Sequence, residues 1–183
     1  MRAPLLALVA ILNCVSARAD DAISFHGSVA TLITDTPLGF AMIEARARIT
    51  SHITGSAAFA HLDPSGPHEE QQLRLSLSAA FAGEGYSFDD RFLWARSDTE
   101  VEYWRNRWRL FLPIGNRFGN ARWLLFDELY YSDPRGFFRN IAAAGVSFNP
   151  MPRLTSDIVY TYIDNRHSEV DHGLLVMLSM RFN

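Results

Sequence analysis

Ten evenly spaced segments of alternating apolar and polar residues constrain this fold more than any other feature of the chain. They run roughly over 22–33, 38–50, 52–62, 69–82, 86–96, 101–112, 121–131, 137–148, 153–163 and 172–182. Turn chemistry separates them: Asp35-Thr36-Pro37, Asp63 to Pro67, Gly83-Glu84-Gly85, Pro113 to Asn120, Asp133 to Gly136, Asn149 to Pro152 and Asp164 to His167. Spacing this regular predicts an all-β, up-and-down antiparallel meander closed on itself. The segments meet the ~9–11 residues of a tilted membrane strand and exceed the ~5–6 usual in soluble sheets. No segment keeps a helical period, and no linker marks a second domain. The third segment is Ala-rich, so a count between eight and twelve stays open around ten.

In a strand, residues i, i+2 and i+4 share a face, so each segment has two faces to compare. Leu174, Val176, Leu178, Met180 and Phe182 share one face of the last segment; Gly173, Leu175, Met177, Ser179 and Arg181 lie on the other. Leu73, Leu75, Leu77, Ala79 and Phe81 oppose Gln72, Arg74, Ser76 and Ser78. Trp104, Trp108, Leu110 and Leu112, with Asn106, oppose Tyr103, Arg105, Arg107 and Arg109. Ala41, Ile43, Ala45 and Ala47 oppose Glu44, Arg46 and Arg48. Arginines facing hydrocarbon would cost ~2–4 kcal/mol each near the midplane, whereas in a wet lumen they cost little. The reading is therefore a transmembrane β-barrel, apolar face outward. Trp94, Trp104, Trp123, Tyr130, Tyr131, Phe148, Tyr160 and Tyr162 fall near segment ends, as interfacial girdles require. A soluble sandwich or a secreted soluble binding barrel would also alternate, but with the apolar face inside. Two pairs resist alternation, Asp89-Asp90 and Asp127-Glu128: a regular strand puts one of each outward, unless a bulge or a position above the membrane intervenes.

The N-terminus supplies context. Arg2, the apolar run Leu5 to Leu12 and Ala17-Arg18-Ala19 read as a signal peptide over 1–19, with the barrel domain over 20–183. The expected destination is the outer membrane, reached by export. Cys14 is the one cysteine and lies in that segment behind Asn13, so it is not read as a lipid anchor, and the remainder has no disulfide. All 17 basic residues are arginine; without Arg2 and Arg18, fifteen face 20 acids, which gives no support to a nucleic-acid partner.

The candidate lumen charges are Glu44, Arg46, Arg48, Arg74, Arg91, Arg105, Arg107, Arg109, Glu128, Asp157 and Arg181. The interior of a small barrel is just wide enough for side chains to fill, so these charges either plug the barrel as ion pairs or line a narrow anion-favouring path. No cofactor is expected. His26, His52, His61, His68, His167 and His172 lack metal-ligand spacing. His167-Ser168-Glu169, flanked by Asp164 and Asp171, matches the His-x-Ser pattern of outer-membrane lipid A deacylases only loosely, because His and Ser are adjacent. Asp164, His167 and His172 imitate omptin-type Asp and His pairs just as loosely. No catalytic residue is assigned, and a lipid-modifying hydrolase stays an alternative.

Arg105 to Leu110 (RNRWRL), Trp123 to Tyr130 (WLLFDELY), Asn140 to Phe148 (NIAAAGVSF), Val159 to Tyr162 and Leu178 to Phe182 resemble a domain-of-unknown-function family of small bacterial outer-membrane β-barrels. The resemblance spans roughly 69–182. There an Arg-rich strand precedes a strand with a central Glu and then a Gly-containing strand. That family often has an arginine beside the Asn; here Ile141 follows Asn140 and Arg139 precedes it. The final strand also resembles the C-terminal targeting signal of such barrels, with Asn183 after the terminal Phe. The resemblance implies fold and location, not an activity. It implies as partners outer-membrane lipids and the assembly machinery, with small anionic solutes expected from the arginines.

Overall fold

In a computed structural model of the chain, residues 23–34, 37–64, 69–99, 101–115, 120–133, 135–166 and 170–182 are described; the signal-peptide reading lies outside them. The strands are β1 (Ile23–Ile33), β2 (Leu38–Arg48), β3 (Ile53–Pro64), β4 (Glu70–Gly83), β5 (Tyr86–Ser97), β6 (Glu102–Pro113), β7 (Arg122–Ser132), β8 (Gly136–Met151), β9 (Leu154–Asn165) and β10 (Asp171–Arg181). Each pairs antiparallel with the next, and β10 pairs with β1, closing a barrel of ten strands. The seam runs in unbroken register from His26↔Arg181 to Ile33↔Leu174. Closure pairs the edges that an open sheet would expose.

The faces sort by polarity, with apolar residues outside. Ile43 is 67% exposed, Phe59 53%, Trp123 51% and Phe182 56%, whereas Glu44 is 1% and Glu128 7% exposed. A soluble barrel has the reverse arrangement, and an exposed apolar band this continuous belongs against lipid. One aromatic row, Trp94↔Trp104↔Tyr131↔Phe137, circles β5 to β8 near one rim. Phe81, Phe88, Trp123 and Phe182 lie toward the other. Tyr130 departs from the girdle reading: it sits on the inner face beside Glu128.

Two irregularities occur, neither at the adjacent acids. The β7–β8 register shifts at Tyr130/Tyr131, which accommodates Phe138 as an extra residue. The β8–β9 register shifts between Phe148 and Met151. Strand β8 consequently runs through Asn149-Pro150, read from sequence as a turn, and the chain reverses at Pro152-Arg153, with Arg153 at φ 70. A bulge is one of the few places a sheet tolerates proline.

Candidate functional site

The period of two in β2, β4, β5, β6, β7 and β9 sends their charged residues into the lumen, where they gather around carboxylates. Glu44 sits between strands: Arg46 Nη2 meets its Oε2 at 2.6 Å, Arg91 Nη1 its Oε1 at 3.3 Å, and the Ser56 hydroxyl donates to Oε1 at 2.6 Å. Arg91 Nε also donates to Ser78 at 3.1 Å. Asp89 takes the fork of Arg109, with Nε at 3.0 Å from both carboxylate oxygens and Nη2 at 2.8 Å. Geometry this planar is what arginine provides and lysine does not.

The third cluster is unbalanced. Glu128 receives Arg105 Nη1 at 3.5 Å, Arg107 Nη1 at 3.6 Å and the Tyr130 hydroxyl at 2.8 Å. Beside it, buried Arg74 donates Nε and Nη2 to a neutral acceptor, Gln72 Oε1, at 2.9 and 2.7 Å, and Tyr103 donates to the same oxygen at 2.9 Å. Two guanidiniums thus share one carboxylate, and the third is held by a neutral amide. Arg105 Nε and Arg107 Nε are buried and find no hydrogen-bond partner among the described residues. Asp157 is buried on β9, with Oδ1 likewise unpartnered.

These groups face a cavity of about 640 Å³ whose lining reaches the rim at Pro37, Val101, Arg135 and Asn165. One side carries Arg74, Arg105, Arg107 and Tyr130. The other is largely apolar, with Leu32, Phe40, Met42, Val159, Leu175 and Met177, and also carries Asp157, Thr161 and Asp171. Arg74 links the two sides, its guanidinium carbon 4.8 Å from the centroid of the Phe40 ring.

All eleven lumen charges read from sequence occupy inward positions. Arg48 and Arg181 sit toward the rim where β1 begins and β10 ends, Arg181 opposite His26. The sequence left Asp89 undecided, put Gln72 and Tyr103 on the arginine faces without a role, assigned Tyr130 to the girdle, weighed His26 only as a metal ligand and gave no role to Ser56. Alternation places all of them inward, but their neutral or ambiguous chemistry gave no signal of a charge cluster.

The undecided acids follow strict alternation, with Asp89 and Glu128 inward and Asp90 and Asp127 outward. The expected bulge is absent at both pairs, where the register is regular. Each outward carboxylate instead finds donors on neighbouring strands: Asn106 Nδ2 donates to Asp90 at 2.9 Å, and Trp108 and Asn140 hydrogen-bond Asp127. Hydrogen bonding is what makes a polar group tolerable at an apolar boundary.

On β10, Leu174, Val176, Leu178, Met180 and Phe182 all face outward. His172 faces outward too, stacked 5.9 Å from the Tyr160 ring and edge-on at 5.3 Å to Tyr162. The His167-Ser168-Glu169 candidate lies outside the described residues. Among the described residues no group of three His, Cys, Asp or Glu is placed to hold a metal.

No protein-family model and no curated protein matches the chain. Solved structures do. A NanC porin aligns with TM-score 0.51 at 11% identity, covering 87% of this chain and 99% of that one. A KdgM porin aligns with TM-score 0.50 at 9% identity, covering 86% and 99%. An outer membrane channel from Pseudomonas putida F1 aligns with TM-score 0.50 at 8% identity, covering 90% and 97%. At such identity the likeness is one of fold alone: a closed antiparallel β-barrel with the architecture of those porins. Within that fold, this chain closes ten strands around an arginine-lined lumen. The resemblance of residues 69–182 to a family of small barrels holds at the level of the barrel and is not matched by a family model.

Proposed function

We propose that the chain is exported to the outer membrane and acts there as a narrow, anion-favouring pore, with the arginines of β4 and β6 as its selective layer. One observation carries this reading: Arg74, Arg105 and Arg107 all line the cavity, Arg105 and Arg107 sharing the Glu128 carboxylate and Arg74 hydrogen-bonded to the neutral Gln72. Fixed guanidiniums lower the energy of an anion in a confined lumen and raise that of a cation. The partners in this reading are membrane lipids around the apolar wall, the assembly machinery during insertion of β10, and small anionic solutes.

A second reading, a structural plug, draws on the Glu44 cluster, where one carboxylate ties β2, β3 and β5 together. Conductance separates the two. Reconstituted in a planar bilayer under a KCl gradient, the barrel is expected to pass current with chloride favoured over potassium, and replacement of Arg105, Arg107 and Arg109 by Ala is expected to abolish the preference. A conducting triple variant with unchanged selectivity would sink the anion-pore reading; a wild-type barrel that passes no current would favour the plug.

A further inference from the structure

We infer that the cavity is a binding site for a single amphipathic carboxylate, its head on Arg74, Arg105 and Arg107 and its hydrocarbon body against the opposite wall. The inference rests on the anion-favouring reading and names the ligand class. The charge argument comes first. Seven arginines line the space against four carboxylates, Glu70, Glu128, Asp157 and Asp171, so the surplus stays positive even with Arg91 and Arg109 paired to Glu44 and Asp89, and the Arg105 and Arg107 side chains keep 11% and 13% of their surface exposed. Guanidiniums placed in this way favour an arriving carboxylate, to which arginine binds through charge-assisted hydrogen bonds.

The second argument is the apolar wall. An interior built only to pass hydrated ions is polar. Here β1, β2, β9 and β10 turn Leu32, Phe40, Met42, Val159, Leu175 and Met177 into the same space. A hydrated inorganic anion gains nothing from those side chains, and a neutral hydrocarbon leaves the guanidiniums unmatched. A molecule with both parts satisfies both walls. At about 640 Å³ the cavity lies within the ~300–1,000 Å³ typical of small-ligand sites. Every neighbouring strand pair is hydrogen-bonded around the circle, so the ligand arrives from water through the rim at Pro37, Val101, Arg135 and Asn165 rather than sideways from lipid.

Calorimetry on the full barrel in nanodiscs, with empty nanodiscs subtracted, tests this with 4-phenylbutyrate against acetate and 4-phenyl-1-butanol. The acid is expected to bind at least about tenfold more tightly than either comparison compound, since each of those lacks one of the two interactions. Arg107→Gln and Leu175→Asn are each expected to weaken it about tenfold or more, and Leu77→Ala on the outer face to leave it unchanged. Retained compact mobility in unheated SDS identifies variants that fold; if Arg107→Gln does not, Leu175→Asn and the comparison compounds carry the test. Acetate or the alcohol binding as tightly as the acid, or a folded Leu175→Asn binding normally, would overturn the inference. Arginine-dependent binding by a barrel without chloride preference would remove the pore reading and keep this one. Chloride preference without discrimination among the three compounds would do the reverse.

Discussion

Asp127 and Glu128 are chain neighbours of the same charge in opposite surroundings. Glu128 is buried in the lumen between Arg105 and Arg107; Asp127 faces outward, held by Trp108 and Asn140. Removing one partner of a buried ion pair typically costs ~3–5 kcal/mol, because the remaining charge is stranded. Glu128→Gln is therefore expected to lower the unfolding free energy in vesicles by about that amount, since two guanidiniums lose their counter-charge. Asp127→Asn keeps one acceptor oxygen for these donors and takes a charge out of the lipid face, so urea titration is expected to show a change within about 1 kcal/mol or a gain. Reversed magnitudes would mean that the facing is wrong. At this scale legibility depended on repetition. Arg105, Arg107 and Arg109 mark one face because three charges in step leave no other consistent arrangement. The pairs Asp89-Asp90 and Asp127-Glu128 were not legible, because the donors that reconcile the outward members, Asn106, Trp108 and Asn140, come from neighbouring strands and enter only once register is known.

Strand limits were legible to within a residue or two wherever Gly, Pro or Asp clusters ended the alternation. Strand β8 is the exception: Asn149-Pro150 reads as a break, yet the Met151↔Leu154 pair beyond the bulge prolongs the strand. The same strand depends on Gly145 for its approach to β9. A β-carbon there would meet the Ile158 carbonyl oxygen, and the Val159 Cα at 2.5 Å. The obstacle is backbone rather than a movable side chain, so Gly145→Ala must push β8 and β9 apart beside the buried Leu124–Val159 cluster. The expected cost is about 1–3 kcal/mol, read as a lower urea midpoint in vesicles. An unchanged midpoint would show that the two strands do not pack this closely.

At the scale of the whole molecule, the same alternation that closes ten strands also reverses the usual placement of polar and apolar residues. Buried ion pairs and hydrogen bonds share the interior with inward apolar clusters and the cavity, and the outer wall is left to hydrophobic residues for a solvent that welcomes them. The class of fold could be read from this pattern. The cavity could not, because it arises from the distance between β1, β2 and β10 on one side and β4 to β7 on the other, which no single strand encodes. The central claim, lipid outside and arginine inside, can be tested without any substitution. The four tryptophans, Trp94, Trp104, Trp108 and Trp123, alternate with inward residues and all face outward. Intrinsic fluorescence of the barrel in vesicles is expected to be strongly quenched by lipids brominated along their acyl chains and little affected by iodide in the water. Strong iodide quenching with bromolipids ineffective would contradict the account.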